Sequence, residues 1–415
     1  MNSYRIQVPA YIQKALFELE KGRHEAWAVG GCVRDSLLSK EPHDWDLATN
    51  AKTGEIESVF EGYKTVKTGI RHGTLTVLID SHPVEITTFR TGNEKEQNIT
   101  LEMDLSHRDF TINAMAYHPD RGLVDLHGGI ADLDARVVRF VGSALDRIEE
   151  DGLRILRALR FASVLDFSID GDGDKQIRKK AGYLSVVAAE RIMSEFRKCL
   201  LGKASGRVVS SYGEVFRVFL PQAAVSLESD KVGLALSYSA PQDPVRLAIA
   251  FMPSDKVLPY TEHSAGHYLK MLKADNRTQE NVKHILSFPP ELLIPDRHTV
   301  HKLIVDHGIG EVRMALEYHL ALRRTLSGQD EEAQTKVCAW YRDVSAVIDE
   351  IEKSGLVLSL RDLAVNGSEL ISLGICEKGP KVGTLMQKLL DAVICEKIQN
   401  QKEQLIEYAR SAANS

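Results

Sequence analysis

Apolar residues Ile12, Ala15, Leu16 and Leu19 recur at helical spacing, so the chain opens on an amphipathic helix over residues 10–22. Ala26-Trp27-Ala28-Val29 is a short apolar run that reads as a buried strand and leads into Gly30-Gly31. Between Tyr63 and Phe89 the pattern changes period: residues 73–79 and 84–89 are rich in β-branched side chains. Asp80-Ser81-His82-Pro83 separates these runs as a turn, which predicts an antiparallel hairpin. Further strand-like pieces lie at 122–125 and 137–141. The first 140 or so residues therefore read as α+β.

After Asp146 the period becomes helical. Leu153, Leu156, Ala158, Leu159, Phe161 and Val164 fall on one stripe, and most of the remaining chain reads as helix. Breaks are expected at 170–173, 202–206, 241–244, 289–290, Gly328 and 379–380. Met386, Leu389, Leu390, Ala392 and Val393 mark an apolar seam near the end. No repeat of fixed period and no Pro- or Ser-rich linker is visible. A small mixed domain followed by a long helical superstructure is the expectation.

Composition narrows the class. A length of 415 residues with 43% hydrophobic content suits about three packed domains. Charged residues at 27%, with ordinary Gly and Pro usage, exclude collagen-like, low-complexity and wholly disordered chains. No uncharged apolar run reaches the roughly 18 residues of a membrane span, and residues 1–7 lack the apolar stretch of a secretion signal. Five dispersed cysteines without C-x-x-C spacing signal neither a disulfide framework nor a zinc knuckle, so a cytoplasmic protein is expected. The net charge of −6 argues against a generally basic surface and leaves local fields open.

The densest chemistry lies in Val29-Gly30-Gly31-Cys32-Val33-Arg34-Asp35, followed by Asp44-Trp45-Asp46-Leu47. Two glycines between a strand and a helix let backbone N–H groups approach an anion closely, and Arg34 adds a charge-assisted contact. Asp44 and Asp46 are spaced i, i+2, which on a strand puts both carboxylates on one face, as one or two Mg²⁺ ions require. The order suits a metal-bound polyphosphate. His298, His301 and His307 form no H-E-x-x-H pattern and read as helix surface.

This constellation resembles the polymerase β-like nucleotidyltransferases and, more closely, the class II tRNA nucleotidyltransferases, the CCA-adding enzyme family. The resemblance extends through residues 68–74, Glu85-Ile86-Thr87-Thr88-Phe89-Arg90, Arg108-Asp109-Phe110-Thr111-Ile112-Asn113-Ala114, Glu150-Asp151-Gly152-Leu153-Arg154 and residues 190–195, and faintly to 363–367. It implies a small mixed α/β nucleotidyltransferase head over 1–140, a helical neck with base recognition over 141–205, a helical body over 206–325 and a tRNA-binding tail over 326–415. Gly30, Gly31 and Arg34 would hold the triphosphate, and Asp44 and Asp46 would bind Mg²⁺. Glu85 is either a third catalytic carboxylate or an ordinary strand acid. Arg108, Asp109 and Asn113 would recognise ribose; His107 stands where the family usually carries a further Arg. The implied partners are tRNA, gripped at its acceptor and T arms, and CTP, with ATP open; no membrane is involved.

Hydrogen-bond logic gives the Asp151/Arg154 pair a role. Read as i, i+3 on one helix, the two share a face. A carboxylate only accepts and a guanidinium only donates. Together they complement the Watson–Crick edges of cytosine and adenine, whereas uracil and guanine present like groups to like. Glu150 would orient Arg154. Arg157 and Arg160 continue the series, as phosphate contacts or as plain surface charge.

One departure bears on the product. Complete CCA-adding members carry a longer loop with an Arg-Arg-Pro element before the Arg-Asp-Phe-Thr motif. Here the connection over 90–106 is short and lacks it. Members with such a loop are CC-adding enzymes, which leave the terminal A to a separate A-adding enzyme. CC addition is therefore the favoured reading. Complete CCA addition, a poly(A) polymerase and a non-catalytic tRNA-binding protein are the alternatives.

Overall fold

Strands β1 (Ala26–Val29), β2 (Asp46–Thr49), β3 (Thr65–Val66), β4 (Thr74–Ile79), β5 (His82–Thr88), β6 (Met115–His118) and β7 (Gly122–Asp125) form one sheet in the order β3-β4-β5-β2-β1-β6-β7. Within this sheet, among the described residues, β2 and β5 alone pair in parallel. The structure is a computed structural model that describes residues 4–67, 73–90, 99–220, 227, 230–252, 262–354, 359–395 and 397–413. It divides into two compact units, Met1–Ala204 with Glu214–Phe219, and Ser205–Gly213 with Leu220–Ser415.

Within the first unit, β4 alternates as its sequence demands: Leu75, Val77 and Ile79 are buried, while Thr74, Thr76 and Leu78 are half-buried. Helices α1 (Ala10–Lys21) and α3 (Thr53–Val59) pack against β4 and β5, with α2 (Gly31–Leu37) between β1 and β2 in the chain. A second cluster joins Trp27, Val29, Ala48, Phe89 and Ala116 to Leu101 and Leu105 of α4 (Leu101–Ser106). The β4–β5 turn is tighter than the four residues expected. Asp80 and Ser81 take φ of 49° and 68°, a two-residue turn whose hand matches the strand twist, so β5 already starts at His82.

Beyond the sheet come α5 (Gly129–Ala135), α6 (Ala144–Glu150), α7 (Arg154–Leu165), α8 (Gly171–Lys179) and α9 (Ala189–Leu200). The strand expected over 137–141 shrinks to Val137–Val138, paired in parallel with Ser168–Ile169 inside a region that reads as helix. The break expected at 170–173 ends at Asp170, which precedes α8, and Gly171 and Gly173 lie in the first turn of that helix. A Cβ at Gly173 would stand 2.6 Å from Asp170 Oδ1, so close approach explains that glycine. Val164, assigned to the apolar stripe of α7, is 41% exposed.

The second unit is helical among its described residues. Helices Arg297–His307, Ile309–Ser327 and Glu331–Lys353 enclose Val300, Leu303, Val312, Leu316, Val344 and Ile348. Helices Pro380–Ile394 and Lys402–Ala413 close a separate core around Met386, Leu389, Leu390, Leu405 and Ala409, the seam seen in the sequence. His301, assigned to helix surface, is buried. No helix among the described residues is long and apolar enough to cross a membrane.

Candidate active site

The turn after β1 is made by Gly30, with φ 76° and ψ −124°, a conformation that side-chain-bearing residues rarely adopt. Its N–H donates to Met115 O at 3.2 Å, which fixes the turn to β6. A Cβ there would stand 3.0 Å from Arg108 Nη1, so the glycine also makes room for that guanidinium. Gly31 opens α2. One turn on, Arg34 donates to both oxygens of Asp35 and, through Nη1, to Asn113 Oδ1 at 2.7 Å.

Asp46 opens β2 opposite Val29 on one side and Glu85 on the other. Asp44 lies just before the strand rather than in it, yet the i, i+2 alternation persists: Trp45 and Leu47 are buried, Asp44 is exposed and Asp46 half-buried. Burial first, then the Glu85 charge, pushes the Asp46 carboxyl up to about 6; Arg108 opposes this and Asp44 adds to it. Beneath the pair, burial holds the Cys32 thiol far above its usual range, at about 12. It is an inert filler.

Arg108 donates through Nε and Nη2 to Asp104 Oδ2 at 2.9 and 2.7 Å, and Asp104 is buried. Asp109 is saturated: Oδ1 accepts from Phe110 N and Asn113 Nδ2, and Oδ2 from Arg157. Burial alone would raise its carboxyl pKa, but Arg157 and these donors bring it below the usual value. His107 turns away, with Nδ1 2.8 Å from Met103 O.

Asp151 and Arg154 are not on one helix. Asp151 ends α6 in an extended conformation and Arg154 starts α7, because the Asp151 carboxylate accepts from Leu153 N at 3.1 Å and turns the chain there. The two still share a side, since residues 151, 154, 157 and 160 are each half-buried while the residues between them are buried. Arg154 pairs with Glu150 at 2.5 Å and Asp151 with Arg191 at 2.8 Å. Arg160 Nε lies 2.9 Å from Glu195 Oε2.

These side chains converge on one cleft of about 490 Å³. Gly30, Gly31, Arg34, Asp46, Arg108, Asp109, Asn113, Asp151, Arg154, Arg157 and Arg160 all line it, with Arg90, Leu153, Phe161 and Arg191. Of the residues singled out in the sequence, Asp44, Glu85 and Glu150 are outside that lining. Arg90, Arg191 and Glu195 had been given no role. Each stands in a stretch that carried the resemblance, and Arg191 and Glu195 share a helix face at i, i+4. Phe161 read as core only. The guanidinium groups of Arg34, Arg157 and Arg160 lie 5.2, 5.7 and 4.1 Å from its ring. Larger cavities of about 980 Å³ beside Tyr11 and 710 Å³ beside Ile375 gather no comparable set of charges.

Asp44, Asp46 and Glu85 make no ion pair and no side-chain hydrogen bond among the described residues. Crowded, acceptor-only carboxylates suit a hard divalent cation that takes its remaining ligands from water and phosphate. No three His, Cys, Asp or Glu among the described residues would enclose a metal unaided. The donor set fits a cation shared with substrate.

A glycine turn, an acidic pair on adjacent sheet strands and an arginine-lined cleft define a nucleotidyltransferase. The model described as "Poly A polymerase head domain" matches residues 26–139, and "tRNA nucleotidyltransferase domain 2 putative" matches residues 256–409. CCA-adding enzymes of Pediococcus pentosaceus and Limosilactobacillus reuteri are 31% and 33% identical to the chain, covering 94% and 97% of it and 95% and 97% of themselves. The Bacillus stearothermophilus CCA-adding enzyme crystallised with CTP is 25% identical, with a TM-score of 0.76 over 98% of both chains. The chain belongs to the CCA-adding enzyme family.

Proposed function

We propose that this enzyme transfers CMP from CTP to the 3′ end of tRNA without a nucleic-acid template and stops after two cytidines. One observation carries the reading: the Gly30-Gly31 turn, Asp46 and the Asp151/Arg154 pair line a single cleft. It does so in a chain similar to CCA-adding enzymes over nearly its whole length.

In the reaction the RNA 3′-oxygen bonds to the α-phosphorus of CTP, the α–β bridge breaks, pyrophosphate leaves and the hydroxyl proton passes to water. Asp44 and Asp46, with Glu85 beside them, would hold Mg²⁺, which when bound supplies Lewis-acid stabilisation of the phosphate charge. Gly30, Gly31 and Arg34 seat the triphosphate. Arg108 and Asn113 meet the ribose, and Asp109, its oxygens already engaged, positions Asn113 and Arg157. Asp151 and Arg154 read the base: each keeps spare hydrogen-bonding capacity, and Glu150 holds Arg154 in place. Arg157 and Arg160 back the phosphates. Residues 141–205 act as the neck, while 206–325 and 326–415 hold the acceptor and T arms of tRNA in the cytoplasm.

The stop after two cytidines is supported by the short 90–106 connection without Arg-Arg-Pro; residues 91–98 of it lie outside the described residues. Complete CCA addition is favoured by the name the curated relatives carry. Purified protein incubated with tRNA lacking its 3′ end, CTP and ATP decides between them. Products two nucleotides longer, with ATP present, are expected. Three-nucleotide products ending in A establish complete addition instead, long ATP-derived tails a poly(A) polymerase, and no extension sinks the proposal.

A further inference from the structure

The arginines of the cleft are not equivalent. Six have a carboxylate partner of their own. A guanidinium paired in this way offers donors in fixed positions, but its charge is largely cancelled. Arg90 is the exception. Its guanidinium has no ion pair and no hydrogen bond among the described residues, although its backbone is secured: Arg90 N donates to Asp104 Oδ1 at 3.0 Å and the preceding Phe89 is buried. The side chain is exposed and lines the cleft. Arg90 follows β5, whose Glu85 pairs with Asp46 in the sheet, and Arg90 and Asp46 line the same cleft.

Donors held in the six pairs suffice for the uncharged base and ribose, and those of Arg34, Arg157 and Arg160 can orient the phosphates, but their charge is already largely met by acids. We propose that Arg90 is a catalytic residue whose uncommitted guanidinium binds the β- and γ-phosphates of the incoming nucleotide. This deepens the reading of the cleft as a CTP site and rests on it. When the bond between the α-phosphorus and the bridging oxygen breaks, its electron pair stays on the departing pyrophosphate. A cation not committed to an ion pair stabilises that new charge where it forms. Arg108, already tied to Asp104, has less to give.

The test compares wild type, Arg90→Met and Arg90→Lys by equilibrium titration with CTP, pyrophosphate and CMP. In Arg90→Met, affinity for CTP and pyrophosphate is expected to fall about 10–100-fold while CMP stays within about twofold. The unchanged CMP affinity shows that the cleft is intact. Arg90→Lys recovers part of the loss, because the charge returns without the two-pronged geometry. Unchanged pyrophosphate affinity in Arg90→Met, or an equal loss for CMP, overturns the assignment. A wild type that binds CTP yet never extends tRNA overturns the proposed function and leaves Arg90 to be judged on the titrations.

Discussion

Arg157 Nε donates to Asp109 Oδ2 at 2.7 Å across 48 residues of chain, and its Nη2 reaches the same oxygen. The bond ties the first arginine turns of α7 to the segment that leads into β6. Asp109 is 8% exposed, so removing its charge leaves a guanidinium beside a buried amide. Asp109→Asn is expected to cost about 3 kcal/mol in denaturant unfolding. Paired with Arg157→Met in a double-mutant cycle, it should show a coupling of at least ~1 kcal/mol. Additive effects would mean that the pair does not stabilise the unit.

Asp46 illustrates the opposite case. Burial and neighbouring Glu85 raise its carboxyl from 3.8 to about 6, so the ionised form is disfavoured on folding. Stability from this group therefore falls as pH rises from about 4 to 6 and stays lower above. In chelator at pH 8, Asp46→Asn should be more stable than wild type by about 1–2 kcal/mol after allowance for solvent screening, while CMP transfer disappears. Thermal unfolding beside an extension assay checks both halves, and an unchanged or lowered Tm refutes the crowding.

Gly30→Ala forces a Cβ into a backbone conformation with φ 76° and to within 3.0 Å of Arg108 Nη1. Unfolding should show a loss of about 1–3 kcal/mol. Because Arg108 must shift, KM for CTP should rise more than kcat falls. A variant with unaltered KM would show that the glycine serves only the turn.

In the second unit, His319 lies on the helix Ile309–Ser327 and approaches Phe288 O at 3.3 Å through Nε2. Burial lowers its pKa from 6.5 to about 4, so the unfolded chain binds the extra proton first. Stability should fall as pH drops from about 6.5 to 4, by about 3 kcal/mol at most, and level off below. His319→Gln should flatten that slope in urea titrations at several pH values; an unaltered slope would show that other groups set it.

The hairpin of β4 and β5, the glycine turn and the apolar seam near Leu389 were legible because each is a local pattern with one dominant cause. Strand length at 137–141 was not, since only Val137 and Val138 join a ladder, with distant Ser168 and Ile169, while Phe140 makes a lone bridge to Phe110. The Asp151/Arg154 spacing suggested one helix, whereas a single side-chain bond to Leu153 N ends one helix and starts another. Arg90 and Arg191 stand in stretches that carry the resemblance, yet the sequence assigns them no role, for a different reason. Their importance depends on whether a distant acid pairs with each, Asp151 with Arg191 and none with Arg90 among the described residues, and such pairing leaves no periodic trace.

Six neutral arginine–carboxylate pairs facing one substrate have a consequence for how the enzyme responds to its surroundings. Shifts in ionic strength act on uncompensated charge. Grip on RNA and uptake of nucleotide should therefore weaken as salt rises, whereas the choice of base, set by donors already locked to their acids, should hardly change. Throughput would vary with the cell's salt while accuracy stays constant.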